Sequence, residues 1–323
     1  MPESSVAVAD DLTRSFGPDA GVFDLDLTLD RGVIVGLIGP SGSGKTTTVR
    51  LLTGILSPDS GTVRVLGEDP VHFSRETRAR IGYMPQDVVL YPDLTLAENL
   101  KFAASLYGMS WRRRDELEQI VDFVELNGVM DRLPKEASGG EKRRVMLAST
   151  LVHQPELIFL DEPTAGLDPV LRRKLWDRFE DLADAGRSLL VTTQYVGEAA
   201  YCDLVAVIAR GRILALATPD ELRRMAFGGE VLDVVFVEQP SRAMAESLAA
   251  LSAGKSLEWL DRRSVRIVVN DAGTAGPAIV KWAQDNHVEL EQTEPYLPPF
   301  DDVFVEIVSD LSNGSDQTPG DRE

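Results

Sequence analysis

The chain has 323 residues, enough for one large domain and a smaller one, and its 43% hydrophobic fraction is typical of a soluble globular protein with a sizeable core. A formal net charge of −19 at pH 7 excludes a general attraction for nucleic acid or anionic lipid, so we expect no nucleic-acid partner. No stretch approaches the roughly 20 apolar residues of a membrane-spanning helix, and a single cysteine, Cys202, favours a reducing cytosol.

Three strand patterns lead into a glycine-rich loop. Residues 6–9 and 22–29 alternate apolar and polar side chains, which predicts half-exposed strands, and 33–38 is an apolar run typical of a buried parallel strand. The next residues, Gly39-Pro-Ser-Gly-Ser-Gly-Lys-Thr46, fit G-x-x-x-x-G-K-[ST], and 46–53 has the pattern of a helix. This strand, loop and helix are the context that the phosphate-binding motif requires.

The loop has the chemistry of a nucleotide site. Its glycines leave backbone N–H groups free to turn toward a phosphate, and the helix N-terminus adds a partial positive charge. Lys45 can reach β- and γ-phosphates, and the Thr46 hydroxyl can ligate Mg²⁺. Phe16 can stack on an adenine base, although a core or hairpin aromatic is an equally good interpretation. The nucleotide-binding residues predicted in the loop are Gly39, Pro40, Ser41, Gly42, Ser43, Gly44, Lys45, Thr46 and Thr47.

A helical insertion is predicted after a strand at 81–86. Gln86, at the end of that strand, can reach a metal ion or a water molecule near the phosphates. Two following segments, 96–107 and 116–126, show helical apolar spacing and no strand signal. We interpret residues 87–154 as an inserted helical subdomain.

Near the end of this insertion lies a second helix start suited to an anion. Ser138-Gly-Gly-Glu141 precedes a helix pattern at 142–151. Two glycines at a helix start leave N–H donors free. Alone, this tetrapeptide is a weak signal, because similar residues cap helices or form loops.

An apolar run then delivers two carboxylates. Residues 157–160 are apolar and are followed by Asp161 and Glu162. This predicts a buried strand whose C-terminal end carries both acids, where ligands bind in open α/β sheets. Asp161 suits Mg²⁺, and Glu162 suits a base that polarises an attacking water molecule.

The last elements of the first domain follow a turn that ends at Asp168. A helix is predicted at 169–184, and an apolar strand at 188–193 ends at Gln194. A final strand pair, at 204–208 and 213–217, closes the domain.

The C-terminal part shows a separate pattern. Residues 231–292 follow the order β-α-β-β-α-β, the split βαβ arrangement. The predicted fold class is α/β: a P-loop NTPase (RecA-like) core with the inserted helical subdomain, plus a small C-terminal α+β ferredoxin-like domain. The predicted bounds are 1–226 for the nucleotide-binding domain, 230–310 for the accessory domain and 311–323 for a disordered tail.

The ordered motifs resemble those of the nucleotide-binding domain of ABC (ATP-binding cassette) transporters, over about residues 6–220. Besides the glycine-rich loop, they are Gln86, Ser138-Gly-Gly-Glu141, Asp161-Glu162, Leu167-Asp168 and Thr193-Gln194. The Ser-Gly-Gly element distinguishes ABC ATPases from kinases and GTPases, which share the glycine-rich loop but lack this element. The C-terminal extension, ending in Asp301-Asp-Val-Phe-Val-Glu306, is similar to daunorubicin-resistance ATP-binding subunits of the drug and antibiotic exporter branch.

The resemblance implies an ATPase subunit at the cytoplasmic side of the cell membrane. Two such subunits, expected to be identical chains, meet head to tail around two ATP molecules with Mg²⁺. Closing the dimer buries the phosphates and completes the charge stabilisation of an in-line transfer to water. A separate transmembrane permease docks on the helical subdomain and exports a drug-like or lipid-like substrate. The chain contacts the membrane only through that permease.

The residues and the resemblance together predict the following roles. Lys45, Glu162 and Gln194 are catalytic. Thr46, Gln86 and Asp161 hold the metal. Besides the loop, the nucleotide contacts are Phe16, Gln86, Ser138, Gly139, Gly140 and Asp168. The apolar residues placed near the permease groove are Val88, Val89, Leu90, Tyr91, Phe102 and Tyr107.

Two positions depart from the family pattern. Gln194 stands where related proteins usually have histidine; glutamine still donates a hydrogen bond to a γ-phosphate oxygen but carries no positive charge. We therefore predict retained but slower hydrolysis. Ala137 replaces the usual leucine before Ser-Gly-Gly, which we expect to affect packing rather than chemistry.

Three alternative functions stay open at this point. The chain could be an importer ATPase with a C-terminal regulatory domain. It could be a soluble ABC-type ATPase of DNA repair or translation, against which the acidic charge and the single cassette argue. It could also hold ATP without turnover, which Gln194 favours and an intact Glu162 opposes.

Overall fold

A computed structural model of the chain describes residues 4–109, 114–249 and 256–314. The chain divides into two units, Met1–Leu216 and Ala217–Glu323. No helix within the described ranges is long and apolar enough to cross a lipid bilayer.

The first unit alternates strands and helices. Its described strands are β1 (Ser5–Gly17), β2 (Ala20–Asp30), β3 (Ile34–Ile38), β4 (Ser60–Val65), β5 (Ile81–Met84), β6 (Leu157–Asp161), β7 (Ser188–Thr193), β8 (Leu204–Ala209) and β9 (Arg212–Ala217). Its described helices are α1 (Lys45–Leu52), α2 (Arg75–Arg78), α3 (Leu96–Leu106), α4 (Arg114–Phe123), α5 (Gly139–Leu151) and α6 (Pro169–Asp184).

A three-stranded antiparallel sheet has the order β2-β1-β4. Strand β1 is longer than its alternating pattern predicts, because it pairs with a neighbour on each side. Its pairing shifts near Asp11, which has a φ of +48°. Phe16 therefore lies within β1 and not in the connection between two strands.

A six-stranded sheet has the order β5-β6-β7-β3-β8-β9 and is parallel from β5 to β8. Every residue of β3, β6 and β7 is buried, as expected of parallel strands that are covered on both faces. The segments that follow β3, β5, β6 and β7 leave the same edge of this sheet. That edge therefore gathers the glycine-rich loop, Gln86, the Asp161–Glu162 pair and Gln194.

The helical insertion contains α3, α4 and α5, on the segments whose apolar spacing predicts helices. A capping box starts α3, in which the Thr95 hydroxyl accepts from the Glu98 N–H and the Glu98 carboxylate accepts from the Thr95 N–H. Ser138 and Glu141 form the same arrangement at the start of α5. Both helix starts are thus fixed by their own side chains.

The second unit is an α+β unit with its own core. Its described elements are α7 (Pro219–Phe227), β10 (Glu230–Phe236), α8 (Arg242–Ala249), β11 (Leu257–Trp259), β12 (Ser264–Val269), α9 (Ala272–Asp285), β13 (Leu290–Tyr296) and α10 (Phe300–Gly314). The sheet has the order β11-β12-β10-β13, and all neighbours are antiparallel. Phe236 of β10, Ile267 of β12 and Ile279 of α9 belong to one buried apolar cluster.

The limits of the structural elements differ from the predicted domain bounds in two places. Helix α7 groups with the second unit, whereas the predicted boundary places it in the first domain. Helix α10 continues to Gly314, so the predicted disordered tail 311–323 overlaps its last residues. Residues 315–323 lie outside the described ranges.

Candidate nucleotide-binding site

The glycine-rich loop between β3 and α1 can be built only with glycine at several positions. A Cβ atom on Gly39 would lie 2.0 Å from the carbonyl oxygen of Ile208. Gly44, the N-cap of α1, has a φ of +110°, where side chains are strained. The loop therefore presents main chain and little side-chain bulk above the start of α1.

Lys45 points back into the loop. Its side chain is 4% exposed, and Nζ donates to the carbonyl oxygens of Gly39 at 2.7 Å and Pro40 at 2.9 Å. Burial lowers the pKa of Lys45, while the nearby charges of Glu162 and Asp161 oppose that shift. The ammonium group thus sits at the floor of the loop, where a phosphate oxygen can replace a carbonyl as its partner.

Oxygen ligands converge beside this loop. Asp161 Oδ1 accepts from Thr192 Oγ1 at 2.6 Å and lies 3.2 Å from Thr46 Oγ1, which is 3.5 Å from Gln86 Oε1. Asp161 is fully buried, and its Oδ2 has no hydrogen-bond partner. A buried carboxylate oxygen left in this state is suited to a cation or its water.

These ligands fit Mg²⁺ better than a metal that needs an all-protein cage. In the described ranges no group of three or more His, Cys, Asp or Glu is placed to hold a metal ion. Mg²⁺ is usually held by one or two carboxylates together with phosphate oxygens and water. Thr46, Gln86 and Asp161 supply such a partial set.

Glu162 occupies the centre of the arrangement. Its side chain is 10% exposed, with Oε1 3.8 Å from Lys45 Nζ and Oε2 accepting from Gln86 Nε2 at 3.2 Å. Its main chain has a φ of +51°, and its N–H donates to Thr192 Oγ1 at 2.9 Å. A carboxylate between a cation and an amide donor, next to the phosphate loop, can orient a water molecule.

A cleft of about 270 Å³ opens over the loop. Its lining residues come from β1, β2, the loop, Gln86 and Glu162, and they include Phe16. Phe16 is 56% exposed, so it is not a core residue, and the Arg14 guanidinium lies 5.4 Å from the centre of its ring. Stacking of Phe16 on a base stays a prediction that this position permits.

The start of α5, here called the α5 tip (Ser138, Gly139 and Gly140), is engaged with its own helix. Ser138 Oγ accepts from the Glu141 N–H at 3.2 Å, and the Ser138 N–H donates to Glu141 Oε2 at 2.7 Å. A Cβ atom on Gly139 would meet nothing within 4 Å, and one on Gly140 would approach only Leu167. The tip is thus an open surface beside Leu167, and none of its residues lines the cleft described above.

Asp168 and Gln194 also lie outside the lining of that cleft. Asp168 caps α6, since its Oδ1 accepts from the N–H groups of Val170 and Leu171 at 3.0 Å. Gln194 follows β7 and is exposed. Their predicted contacts with nucleotide stay predictions.

The site also contains residues that sequence reasoning missed. Arg143 of α5 donates to the carbonyl oxygens of Glu162 and Gln86, and Thr192 links Asp161 to the Glu162 main chain. Two adjacent threonines ending an apolar strand were a usable signal for Thr192, whereas Arg143 resembles an ordinary surface residue of a helix.

Comparisons with known proteins agree with this geometry. A family model described as ABC transporter matches residues 22–165. Daunorubicin resistance ATP-binding protein DrrA3 of Streptomyces coeruleorubidus is 35% identical over 312 residues, which cover 96% of this chain and 98% of that protein. Probable multidrug ABC transporter ATP-binding protein YbhF of Escherichia coli K12 is 37% identical over 233 residues, 72% of this chain but 40% of YbhF.

A solved structure gives the same result for the fold. The structure described as the ATP-binding subunit of an ABC transporter matches with a TM-score of 0.62 and 30% identity, covering 68% of this chain and 92% of that one. The first unit therefore has the P-loop NTPase fold of an ABC ATPase domain, as the sequence predicts.

Proposed function

This chain belongs to the ABC transporter family of ATP-binding proteins, and from that premise we propose that it hydrolyses MgATP to drive export through a separate transmembrane subunit. The observation that carries the proposal is the convergence of Lys45, Thr46, Gln86, Asp161 and Glu162 at one edge of the parallel sheet. Each of these side chains has the chemistry that phosphoryl transfer to water requires.

The nucleotide is held by the phosphate loop and the residues around it. Backbone N–H groups of residues 41–46 bind the phosphates, and Lys45 exchanges its loop carbonyls for phosphate oxygens. Phe16 stacks on the base, which its exposure at the mouth of the cleft supports. Thr46, Asp161 and Gln86 hold Mg²⁺, whose contribution is to neutralise charge on the phosphate oxygens.

Glu162 is the base of the reaction. Its carboxylate accepts a proton from, or orients, the water molecule that attacks the γ-phosphate. Gln86 holds the carboxylate through a hydrogen bond of 3.2 Å. Gln194 donates to a γ-phosphate oxygen as charge develops there, without the positive charge of a histidine.

A second nucleotide-binding subunit completes each site. The α5 tip of one subunit meets the phosphates held by the loop of the other, and Asp168 lies next to that contact through the packing of Leu167 near Gly140. The open space at Gly139 supports this arrangement, because N–H groups of a helix start are free to meet an anion there. An identical chain is the simplest partner.

The transmembrane partner docks on the helical insertion. An exposed group of apolar side chains supports this placement: Val88, Val89, Tyr91, Phe102, Leu106 and Tyr107. The rings of Tyr91 and Phe102 form an edge contact with centres 4.8 Å apart, so part of the group is a preformed surface. The chain then sits at the cytoplasmic side of the membrane and contacts it only through the permease.

The export direction and the drug-like or lipid-like substrate are supported by the relatives. DrrA3 is named for daunorubicin resistance and matches this chain over nearly its full length. We also assign the second unit a ferredoxin-like fold, which its βαββαβ order and its strand order β13-β10-β12-β11 support. Identification of an importer permease as the partner would correct the export direction and the substrate class, and would leave the rest of the proposal unchanged.

The test of the proposal measures phosphate release and assembly together. Purified wild-type protein should hydrolyse ATP only with Mg²⁺, and Glu162→Gln should lose about 10²–10⁴-fold in rate. Glu162→Gln should also become dimeric by light scattering when MgATP is added. Glu156→Gln, which alters a carboxylate at the opposite end of β6, is the matched control.

The opposite results discriminate among the alternatives. Tight ATP binding without phosphate release, in the presence of the permease, would identify a module that holds nucleotide. A protein that stays monomeric with saturating MgATP in both variants would contradict the head-to-tail arrangement.

A further inference from the structure

The Arg143 guanidinium joins two main-chain segments that carry functional side chains. Its Nη1 donates to the carbonyl oxygen of Glu162, and its Nη2 donates to the carbonyl oxygen of Gln86 at 3.0 Å. Arg143 lies in the second turn of α5, just after the α5 tip. One planar group therefore connects α5 to the ends of β5 and β6.

The side chains of the two acceptor residues also meet each other. Gln86 Nε2 donates to Glu162 Oε2 at 3.2 Å. The contacts form a closed ring: from Arg143 to the Gln86 main chain, through its side chain to the Glu162 carboxylate, and back through the Glu162 main chain. A ring closed by a rigid guanidinium fork leaves the carboxylate fewer orientations than a single contact does.

The main chain of Glu162 depends on such support. Its φ of +51° lies in the left-handed region, which is unfavourable for a residue with a side chain. Thr192 satisfies its N–H, and Arg143 satisfies its carbonyl oxygen. The same carbonyl oxygen also accepts from the Ala165 N–H at 3.2 Å, so removing the guanidinium leaves that local bond in place and takes away the donor that comes from α5. The strained conformation then loses one of the bonds that hold it.

The electrostatic setting of Arg143 also differs from that of a surface arginine. Both of its hydrogen bonds in the described ranges go to main-chain oxygens. Burial lowers the pKa of Arg143, and the charges of Glu162 and Asp161 oppose that shift. The cation therefore lies within the field of both functional carboxylates while it contacts the main chain.

We propose that Arg143 is a positioning residue that ties the orientation of the Glu162 carboxylate to the tilt of α5. When the α5 tip of one subunit contacts a phosphate, a change in the tilt of α5 alters the orientation of the Glu162 carboxylate in that same subunit. The Arg143 side chain transmits this change. The catalytic part of this inference rests on the proposed function, because it requires Glu162 to act on water.

A simple structural arginine is the competing interpretation, and the chain offers a matched example. Arg187 Nη1 donates to the carbonyl oxygens of Gln154 at 2.7 Å and Pro155 at 2.8 Å. It too bridges two carbonyls, but it precedes β7, at the opposite edge of the sheet from the site. Arg187→Ala therefore controls for the loss of an equivalent bridge.

The first experiment measures steady-state ATP hydrolysis by the full chain. Arg143→Ala should lower kcat about 10- to 100-fold, because a carboxylate displaced by about 1 Å loses its alignment. KM for ATP should stay within about twofold, since the phosphate loop is untouched. Arg143→Lys should recover part of kcat, as a lysine can reach one carbonyl but cannot form the fork. Arg187→Ala should keep the wild-type kcat.

The second experiment needs no hydrolysis. Hydrogen exchange of the nucleotide-free protein should be faster in Arg143→Ala over residues 84–90 and 160–166, and unchanged there in Arg187→Ala. Unchanged exchange in Arg143→Ala overturns the proposed bridge. The catalytic role of Arg143 is overturned if Arg143→Ala lowers kcat no more than Arg187→Ala does. It is also overturned if Arg143→Ala changes KM and leaves kcat unchanged. A wild-type protein that shows no hydrolysis overturns the proposed function, while the exchange result still decides the bridge.

Discussion

The phosphate-loop edge and the α5 tip differ in how far their functional groups are already engaged with one another. At the loop edge, the side chains of Lys45 and Glu162 are 4% and 10% exposed, and Lys45 Nζ lies 3.8 Å from Glu162 Oε1. At the α5 tip, Ser138 and Gly139 are exposed, and Ser138 is occupied only with capping its own helix. One region is assembled within the chain, whereas the other presents its groups outward.

The difference reflects what holds each of the two regions in its conformation. The loop edge is fixed by a parallel sheet whose strands β3, β6 and β7 are wholly buried. The α5 tip is fixed by a capping box, which orders the helix start but leaves N–H donors available. An ordered helix start with free N–H donors suits the contact that we propose, with an anion held by another subunit.

The largest expected effect tests whether the two regions act across subunits. Lys45→Ala disables the loop edge, and Gly139→Asp adds a carboxylate at an open position of the α5 tip. Each variant alone should lose at least about 10³-fold in ATPase rate, because phosphate charge is no longer balanced. A mixture should recover about a quarter of the wild-type rate, since half of the randomly paired dimers contain one intact site.

A matched control and the contrary result follow from the same design. Gly276→Asp in α9 adds a carboxylate at another open helical position and should leave the ATPase rate unchanged. A mixture of Lys45→Ala and Gly139→Asp that stays inactive, although both variants bind each other, would show that the two regions serve the same subunit.

Gln194 is the position where the second-largest effect is expected. Gln194→Ala removes a hydrogen-bond donor and should lower kcat about 10²-fold. Gln194→His restores a side chain that can also carry charge and should raise the rate above wild type. Steady-state phosphate release measures both variants. An unchanged or lower rate in Gln194→His would show that glutamine is no handicap here.

Ser138 should show a smaller effect with two separable parts. Ser138→Ala removes a helix cap, which costs about 1 kcal/mol of stability, and also a phosphate donor, which costs about tenfold in rate. Thr95→Ala removes the equivalent cap of α3 and should cost stability alone. Thermal unfolding and ATPase assays on both variants separate the two parts. Equal ATPase rates in the two variants would restrict Ser138 to capping.

The sequence predicted most of the loop edge because its signals are local. Strands β3, β6 and β7 are continuous apolar runs, and the functional groups follow directly at their C-terminal ends. The glycine pattern around Lys45 has a steric cause, since a Cβ atom at Gly39 would lie 2.0 Å from a carbonyl oxygen.

Contacts between distant segments were beyond sequence reasoning. Arg143 bonds to residues 19 and 57 positions away in the chain, and no local pattern specifies either distance. Phe16 was placed between strands because the polar residues of β1 hide a strand that is held by neighbours on both sides. At Phe16, tertiary pairing overrode the local signal.

The smallest expected effect concerns His153, which follows α5 and contacts both the residue after α3 and the first residue of β5. Its Nε2 lies 3.0 Å from the carbonyl oxygen of Ile81, its ring stacks on Tyr107 at 3.6 Å, and its Nδ1 is buried without a partner. Burial lowers the pKa of His153, so below pH 6.5 the unfolded chain binds a proton that the folded chain does not. This group therefore contributes a loss of stability as pH falls from 6.5 through its lowered pKa.

Relative to His153→Gln, wild type should lose about 1–2 °C in melting temperature between pH 7.5 and 5.5. A constant offset between wild type and His153→Gln across that range would contradict the linkage.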